Sequence, residues 1–265
     1  MIDLIGYLFA ATTQGPLMVK PSAGAVTPTA SAAAATSPAV AVPTVNASTV
    51  IDNVQKFYRD IKRVTAVFRQ TVHISTFGTS KTSDGSVWLM KPGKMRWDYV
   101  EKKKDGVRVK KSFISNGTNL YVVEHDNKQV LKKNLQQDLM PLAVTFLYGK
   151  GDLKAEFNAE LDANSSYGGK GDIVVKLTPK KPSAQYKNLI LVVDPVQYRV
   201  KQSVIVDASN NINHFQFFSP DFEKPMKDSW FEFNEASVKN YRIIDGDAPP
   251  GSGSAGSAQQ AVKAE

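Results

Sequence analysis

The chain has no cysteine and only three histidines in 265 residues. Without cysteine there is no disulfide staple, no thiolate zinc site, no iron–sulfur cluster and no cysteine nucleophile. A lipid anchor attached through cysteine is excluded as well. His73, His125 and His214 are too far apart in sequence to share a helical ligand spacing, so no metal site is expected. No stretch approaches the roughly 18 apolar residues of a membrane-spanning helix, and the mean hydropathy is −0.27. Gly-x-Ser-x-Gly, His-Glu-x-x-His and the P-loop are all absent, and Gly149-Lys150-Gly151 and Gly168-Gly169-Lys170-Gly171 lack the surrounding pattern. Asp126, Asp194 and Asp207 sit beside turn residues, where a carboxylate serves local hydrogen bonding. The sequence therefore reads as a binding protein and not an enzyme, with no catalytic residue and no cofactor.

Positive charge is in excess: 33 Lys and Arg against 25 Asp and Glu, for a net charge of +8. Such a balance suits anionic headgroups, nucleic acid or an acidic protein partner. The densest basic stretch is Glu101-Lys102-Lys103-Lys104-Asp105, continued by Arg108, Lys110 and Lys111. Phe113 and Tyr121 are the aromatics near it, but no RNP-like motif surrounds them. Residues 101–111 therefore read as a solvated hairpin tip rather than a base-stacking face, and nucleic acid is not expected as a partner.

Composition divides the chain in three. Residues 1–47 hold a short apolar run, Leu4 to Ala11, and then an Ala/Pro/Ser/Thr tract that cannot bury a core. This start reads as an atypical export signal, with Asp3 where a positive charge belongs and Ala-Val-Ala at 39–41 available for cleavage. Residues 246–265 read as a disordered tail, which leaves 48–245 as the folded domain.

The domain opens with a helix. Ser48 or Thr49 is placed to cap it, Asp52 falls in the first turn, and Ile51, Val54, Tyr58 and Ile61 recur at helical spacing. From Val64 the period becomes that of strands, expected over 64–74, 84–91, 95–100, 107–115, 119–124 and 128–133. A helix over 135–148 interrupts, with Leu139, Leu142, Ala143, Phe146 and Leu147 along one side. Strands resume at 153–159, 172–178, 186–193, 197–206, 211–218 and 229–234. Close spacing and hairpin turns imply an antiparallel sheet, and about twelve strands are too many to stay flat. The expected fold is mainly β with some α: a strongly curved antiparallel sheet, an incomplete barrel, covered by lid helices around a hydrophobic cavity.

Residues 84–99 carry the most information. Val87 and Leu89 share one face, Pro92-Gly93 make a turn, and Met95, Trp97 and Tyr99 share a face on the return strand. Gly85-Ser86-Val87-Trp88, the Lys91-Pro92 turn and Arg96-Trp97-Asp98-Tyr99 together resemble the periplasmic outer-membrane lipoprotein carriers of the LolA family. The resemblance extends to Phe68-Arg69-Gln70, to Ile114-Ser115-Asn116-Gly117-Thr118-Asn119-Leu120-Tyr121, to Leu177-Thr178-Pro179-Lys180 and to Phe231-Glu232-Phe233 as a closing strand. It implies a periplasmic, monomeric carrier that holds lipoprotein acyl chains in its cavity. Its partners would be an inner-membrane Lol ABC transporter and, where present, the outer-membrane receptor LolB. That receptor is lipidated at cysteine, so a chain without cysteine fits the carrier. The resemblance places the cavity-wall tryptophan at Trp97, helix-one cavity residues at Val54 and Tyr58, and lid-helix cavity residues at Leu142 and Phe146; Val87, Leu89 and Met95 join them from the shared hairpin faces, which read as core or cavity wall. The family's lid-bonding arginine falls on Lys91, which lacks the planar fork. Two rival readings are a lipid- or lipoprotein-sensing regulatory module of the same fold and a basic nucleic-acid-binding barrel.

Overall fold

A computed structural model describes residues 45–135, 151–183 and 186–247. Among these residues twelve strands form one open sheet in the order β12-β6-β5-β4-β3-β2-β1-β11-β10-β9-β8-β7. The strands are β1 Arg63–Ile74, β2 Thr79–Met90, β3 Lys94–Lys103, β4 Gly106–Asn116, β5 Asn119–Glu124, β6 Gln129–Asn134, β7 Phe157–Leu161, β8 Ile173–Pro179, β9 Asn188–Val193, β10 Val200–Val206, β11 Ile212–Asp221 and β12 Arg242–Asp245. Helix α1 is Ala47–Asp60, and a single turn, α2, is Leu153–Glu156. The mainly β fold expected from the sequence is the fold observed. The described residues form two compact units: 45–58, 71–81, 151–183 and 186–214 in one, and 59–70, 82–135 and 215–247 in the other.

In the first unit, α1 buries Ala47, Val50, Ile51, Val54 and Tyr58, a stripe at spacings of three and four. Its cap is neither Ser48 nor Thr49. The Asn46 side chain accepts from the Ser48 N–H at 2.8 Å, so the helix begins earlier and Asp52 lies beyond its first turn. Asp52 instead meets Lys154 at 2.9 Å, and the Gln55 side chain accepts from the Leu153 N–H, tying α1 to α2. The expected strand over 153–159 opens as helix because Asp152 accepts from the N–H groups of Lys154 and Ala155. Strands β7 to β10 are consecutively antiparallel. In β9 all of Leu189 to Val193 are buried. The loop before β8 explains the second buried face: Gly168 lies so near Val174 and Val192 that a Cβ would come within 3.2 Å of both.

In the second unit, β2 to β6 form a continuous antiparallel meander. Two features of its sequence motifs are explained by close approach. Gly85 lies beneath the Phe68 ring; a Cβ there would stand 2.4 Å from the ring and 2.3 Å from the Asp98 carbonyl oxygen. The Pro92-Gly93 and Asn116-Gly117 turns meet backbone to backbone, and a Cβ on Gly93 would stand 3.0 Å from the Gly117 Cα. Ser115 ties the two turns, its hydroxyl donating to the Gly93 carbonyl at 3.4 Å and accepting from the Gly117 N–H at 3.1 Å.

The strand expected at 229–234 is not formed. Asp228–Phe231 and Glu235–Val238 are 3-10 turns, the second capped by Asn234, whose side chain accepts from the Ala236 N–H at 3.0 Å. The alternation of Phe231 and Phe233 imitates a strand, but their rings pack inward from a turn: Phe231 is fully buried and Phe233 stacks on Tyr121 at 4.6 Å. The edge belongs instead to β12, which pairs parallel with β6, a departure from the all-antiparallel expectation. Of the helix expected over 135–148, all but Leu135 lies outside the described residues, as do the 1–44 portion of the first segment and the tail from 248.

The overlap of Phe68 and Gly85 makes Gly85→Ala an overpacking change. We expect it to cost about 1–3 kcal/mol in urea denaturation, and less in a Phe68→Ala background, where only the backbone conflict remains. In the first unit, burial pushes the Tyr58 hydroxyl from 10.0 up to about 12, although it accepts from the Val200 N–H at 3.1 Å. The unfolded chain loses that proton near pH 10 while the folded one keeps it. Stability should thus be undiminished below pH 10 and fall as the pH approaches 12, by up to about 2–3 kcal/mol from this group. Denaturation of wild type and Tyr58→Phe across that window measures the difference.

Candidate functional site

Residues directly opposite each other in an antiparallel pair share a face. The registers of β2 to β6 therefore lay out three rows on one face. Val87, Trp97, Phe113, Val122 and Leu131 make the central row. Leu89, Met95, Ser115, Leu120 and Lys133 make the row on one side. Gly85, Tyr99, Lys111 and Glu124 make the row on the other.

Aromatic rings cover this face. Trp97 meets Phe68 at 5.1 Å between centroids, Phe215 at 5.6 Å and Phe217 at 6.2 Å. Tyr99 meets Phe68 at 5.0 Å and Phe113 at 5.8 Å. Most of the contacts are tilted or edge-on, as ring quadrupoles prefer. Trp97 is 8% exposed and Phe68 fully buried. The Tyr99 hydroxyl is enclosed with them and has no hydrogen-bond partner among the described residues; burial pushes its pKa upward. Beside it Lys111 pairs with Glu124 at 3.1 Å and lies over the Phe113 ring at 5.2 Å. Burial lowers the Lys111 pKa, and the Glu124 carboxylate opposes that shift.

The opposite face is polar at its centre. Arg96 Nε reaches both carboxylate oxygens of Asp98, at 2.9 and 3.1 Å, and Nη1 donates to the Trp230 carbonyl at 3.3 Å. The Ser112 hydroxyl completes the network, donating to Asp98 at 2.7 Å. A cleft of about 320 Å³ lies here, lined by Trp88, Arg96, Asp98, Lys224 and Trp230. Next to it Ile114, Val123, Val130 and Val238 form a small core with Tyr121, Phe233 and Tyr241.

Of the residues expected to line the cavity, Val87, Leu89, Met95 and Trp97 lie together on the aromatic face. Val54 and Tyr58 are buried on α1, in the other unit, and the Tyr58 hydroxyl is engaged by Val200. Leu142 and Phe146 lie outside the described residues. Lys91 reaches the last turn of α1, its ammonium donating to the Arg59 carbonyl at 2.7 Å; burial lowers its pKa, and nearby Asp60 counteracts this. Three of the six basic side chains at 101–111 are paired with carboxylates. Arg108 contacts Glu101 and Asp126, Lys103 approaches Glu101 at 3.4 Å, and Lys111 is paired as described. Sequence reasoning left Phe68, Tyr99, Phe113, Phe215 and Phe217 out of the site. Tyr99 was two residues from Trp97 on the same strand face, and the spacing of Phe215 and Phe217 put them on one face of β11. Nothing in the local sequence showed that these separate strands turn their rings to one place.

Residues 59–234 match the family described as outer membrane lipoprotein carrier protein LolA. The chain belongs to that family. The match begins after most of α1, so Val54 and Tyr58 fall outside it. Outer-membrane lipoprotein carrier proteins of Alkalilimnicola ehrlichii and Methylococcus capsulatus are 24% identical over 137 residues and 27% identical over 109. The matches cover 51% and 41% of this chain, and 58% and 48% of those proteins. The chain thus spans about half to three-fifths of the length of these two relatives. Among solved structures, the LolA superfamily protein NE2245 from Nitrosomonas europaea aligns at 13% identity and a TM-score of 0.38, covering 72% of this chain and 99% of that one. MucB in complex with MucA(peri) aligns at 12% identity and a TM-score of 0.40, covering 78% and 66%. Among the described residues no helix is long and apolar enough to cross a membrane.

The Lys91 contact has a direct consequence for α1. An ammonium beside last-turn carbonyls satisfies an open acceptor and opposes the helix dipole. Lys91→Leu should cost about 0.5–1.5 kcal/mol and raise amide hydrogen exchange in the last turn of α1, whereas Lys91→Arg should keep most of the protection. Equal exchange in all three proteins would show that the contact holds nothing in place.

Proposed function

We propose that this domain is a carrier that takes lipoprotein acyl chains against the aromatic face of β2–β5 and moves them through the periplasm from the inner to the outer membrane. The observation that carries the reading is the face itself: Val87, Leu89, Met95 and Trp97 in adjacent rows, roofed by Phe68, Phe215 and Phe217, within a LolA-family domain. Each methylene withdrawn from water on such a face contributes about 0.8 kcal/mol, so two acyl chains together would bind tightly. The rings already touch one another, so a chain enters only by parting them. That cost is offset on binding and recovered on release, which suits a protein that must surrender its cargo. No bond is made or broken in this reading, and it requires no catalyst. The donor would be an inner-membrane Lol ABC transporter and the acceptor the outer-membrane receptor LolB or the membrane. Leu142 and Phe146 would belong to the lid, and Lys91, by anchoring the end of α1, would influence its opening.

Native mass spectrometry of the protein taken gently from its own periplasm should find acylated lipoprotein bound to it. In vitro, a long-chain acyl ligand should shift the Trp97 fluorescence to shorter wavelength, and Trp97→Phe should lose most of that change. A signal that survives in the variant, or follows ionic strength and not chain length, would remove this face from the site.

A further inference from the structure

We infer that Tyr99 is a ligand-binding residue of the aromatic face, its hydroxyl donating a hydrogen bond to the carbonyl oxygen of the ester or amide that joins an acyl chain to its polar carrier. The inference rests on the acyl-chain reading above and adds to it a polar contact and a direction of insertion.

Tyr99 is 5% exposed, enclosed by Phe68 and Phe113, and its hydroxyl has no hydrogen-bond partner among the described residues. Polar groups near it on the same face are matched: Lys111 by Glu124, and the Ser115 hydroxyl by the Gly93 carbonyl and the Gly117 N–H. A buried hydroxyl without a partner is a standing cost, which phenylalanine would avoid in the same space. The cost is removed when a bound molecule supplies an acceptor. An alkyl chain has none; the carbonyl at its head has one.

Position supports the same assignment. The central row and the Leu89–Met95 row offer apolar surface for the chain. Tyr99 stands in the third row, where the surface gives way to the Lys111–Glu124 ion pair. A chain lying across the apolar rows with its head toward that pair brings its carbonyl to Tyr99. The hydroxyl then sets how deeply the chain enters and separates acyl from alkyl ligands.

A matched pair of probes tests this on the whole chain: 1-palmitoylglycerol, which carries an ester carbonyl, and 1-O-hexadecylglycerol, which has the same chain length without one. The wild type should bind the ester about three- to tenfold more tightly. Tyr99→Phe should bind both with the affinity the wild type shows for the ether, and should melt about 2–4 °C higher, because an unsatisfied group is gone. Equal affinity of the wild type for the two probes, or an ester preference that persists in the variant, overturns the inference while leaving the carrier reading intact. A variant that melts lower also overturns it, since the hydroxyl would then be satisfied in the empty protein by an ordered water. If the wild type binds neither probe, the carrier reading fails and this inference fails with it.

Discussion

The second unit depends on one contact, an aromatic ring laid over a glycine. Phe68 can lie flat on β2 only because Gly85 has no side chain, and from there it touches both Trp97 and Tyr99. A side chain at Gly85 would lift the ring from the sheet and displace two further aromatics with it. Glycine within a strand ordinarily weakens it; here the covering ring returns the lost packing. The contact also explains why the Phe-x-Gln and Gly-x-x-Trp motifs, on neighbouring strands, occur in the same chain: each supplies half of it.

The two faces of β3 have different tasks. Met95, Trp97 and Tyr99 point toward the aromatic rings, while Arg96 and Asp98 point the other way and engage Ser112 and the Trp230 carbonyl. The segment after β11 is thereby held by a charge-assisted network and by the small core around Val238. Removing Arg96 would leave the buried Asp98 carboxylate without its charged partner, a larger loss than the pair's net contribution. The motif Arg-Trp-x-Tyr thus alternates residues that pack among the aromatic rings with residues that hold the segment after β11 along a single strand.

Much of this was legible in the sequence. Period-two alternation and the Pro-Gly, Asp-Gly and Asn-Gly turns located the meander from β2 to β6, because strand pairing there is local and the turns set the register. Val87, Leu89, Met95 and Trp97 could be grouped because a hairpin fixes which residues face each other. What escaped depended on long-range partners or small capping preferences. The Asp152 cap made a helical turn out of apparent strand, and Asn234 with Phe231 and Phe233 imitated a strand that the backbone does not form. Phe215 and Phe217 reach Trp97 from more than a hundred residues away, and no local pattern reports such a meeting. The contact of Lys91 with the Arg59 carbonyl was also not foreseen, because a helix C-terminus offers acceptors that a strand-based reading does not anticipate.

The parallel pairing of β12 with β6 sets an order of events in the life of the chain. Every pairing from β2 to β6 closes a short loop, whereas Arg242–Asp245 must return to Gln129–Asn134 across more than a hundred residues. Closing so long a loop gives up chain entropy before any contact compensates for it. Four residues of pairing, mostly exposed, repay little of that loss. Loop entropy and sparse burial therefore favour the local meander over the attachment of this closing strand. In a brief opening of the native protein the edge of β6 is the first backbone released to an incoming strand.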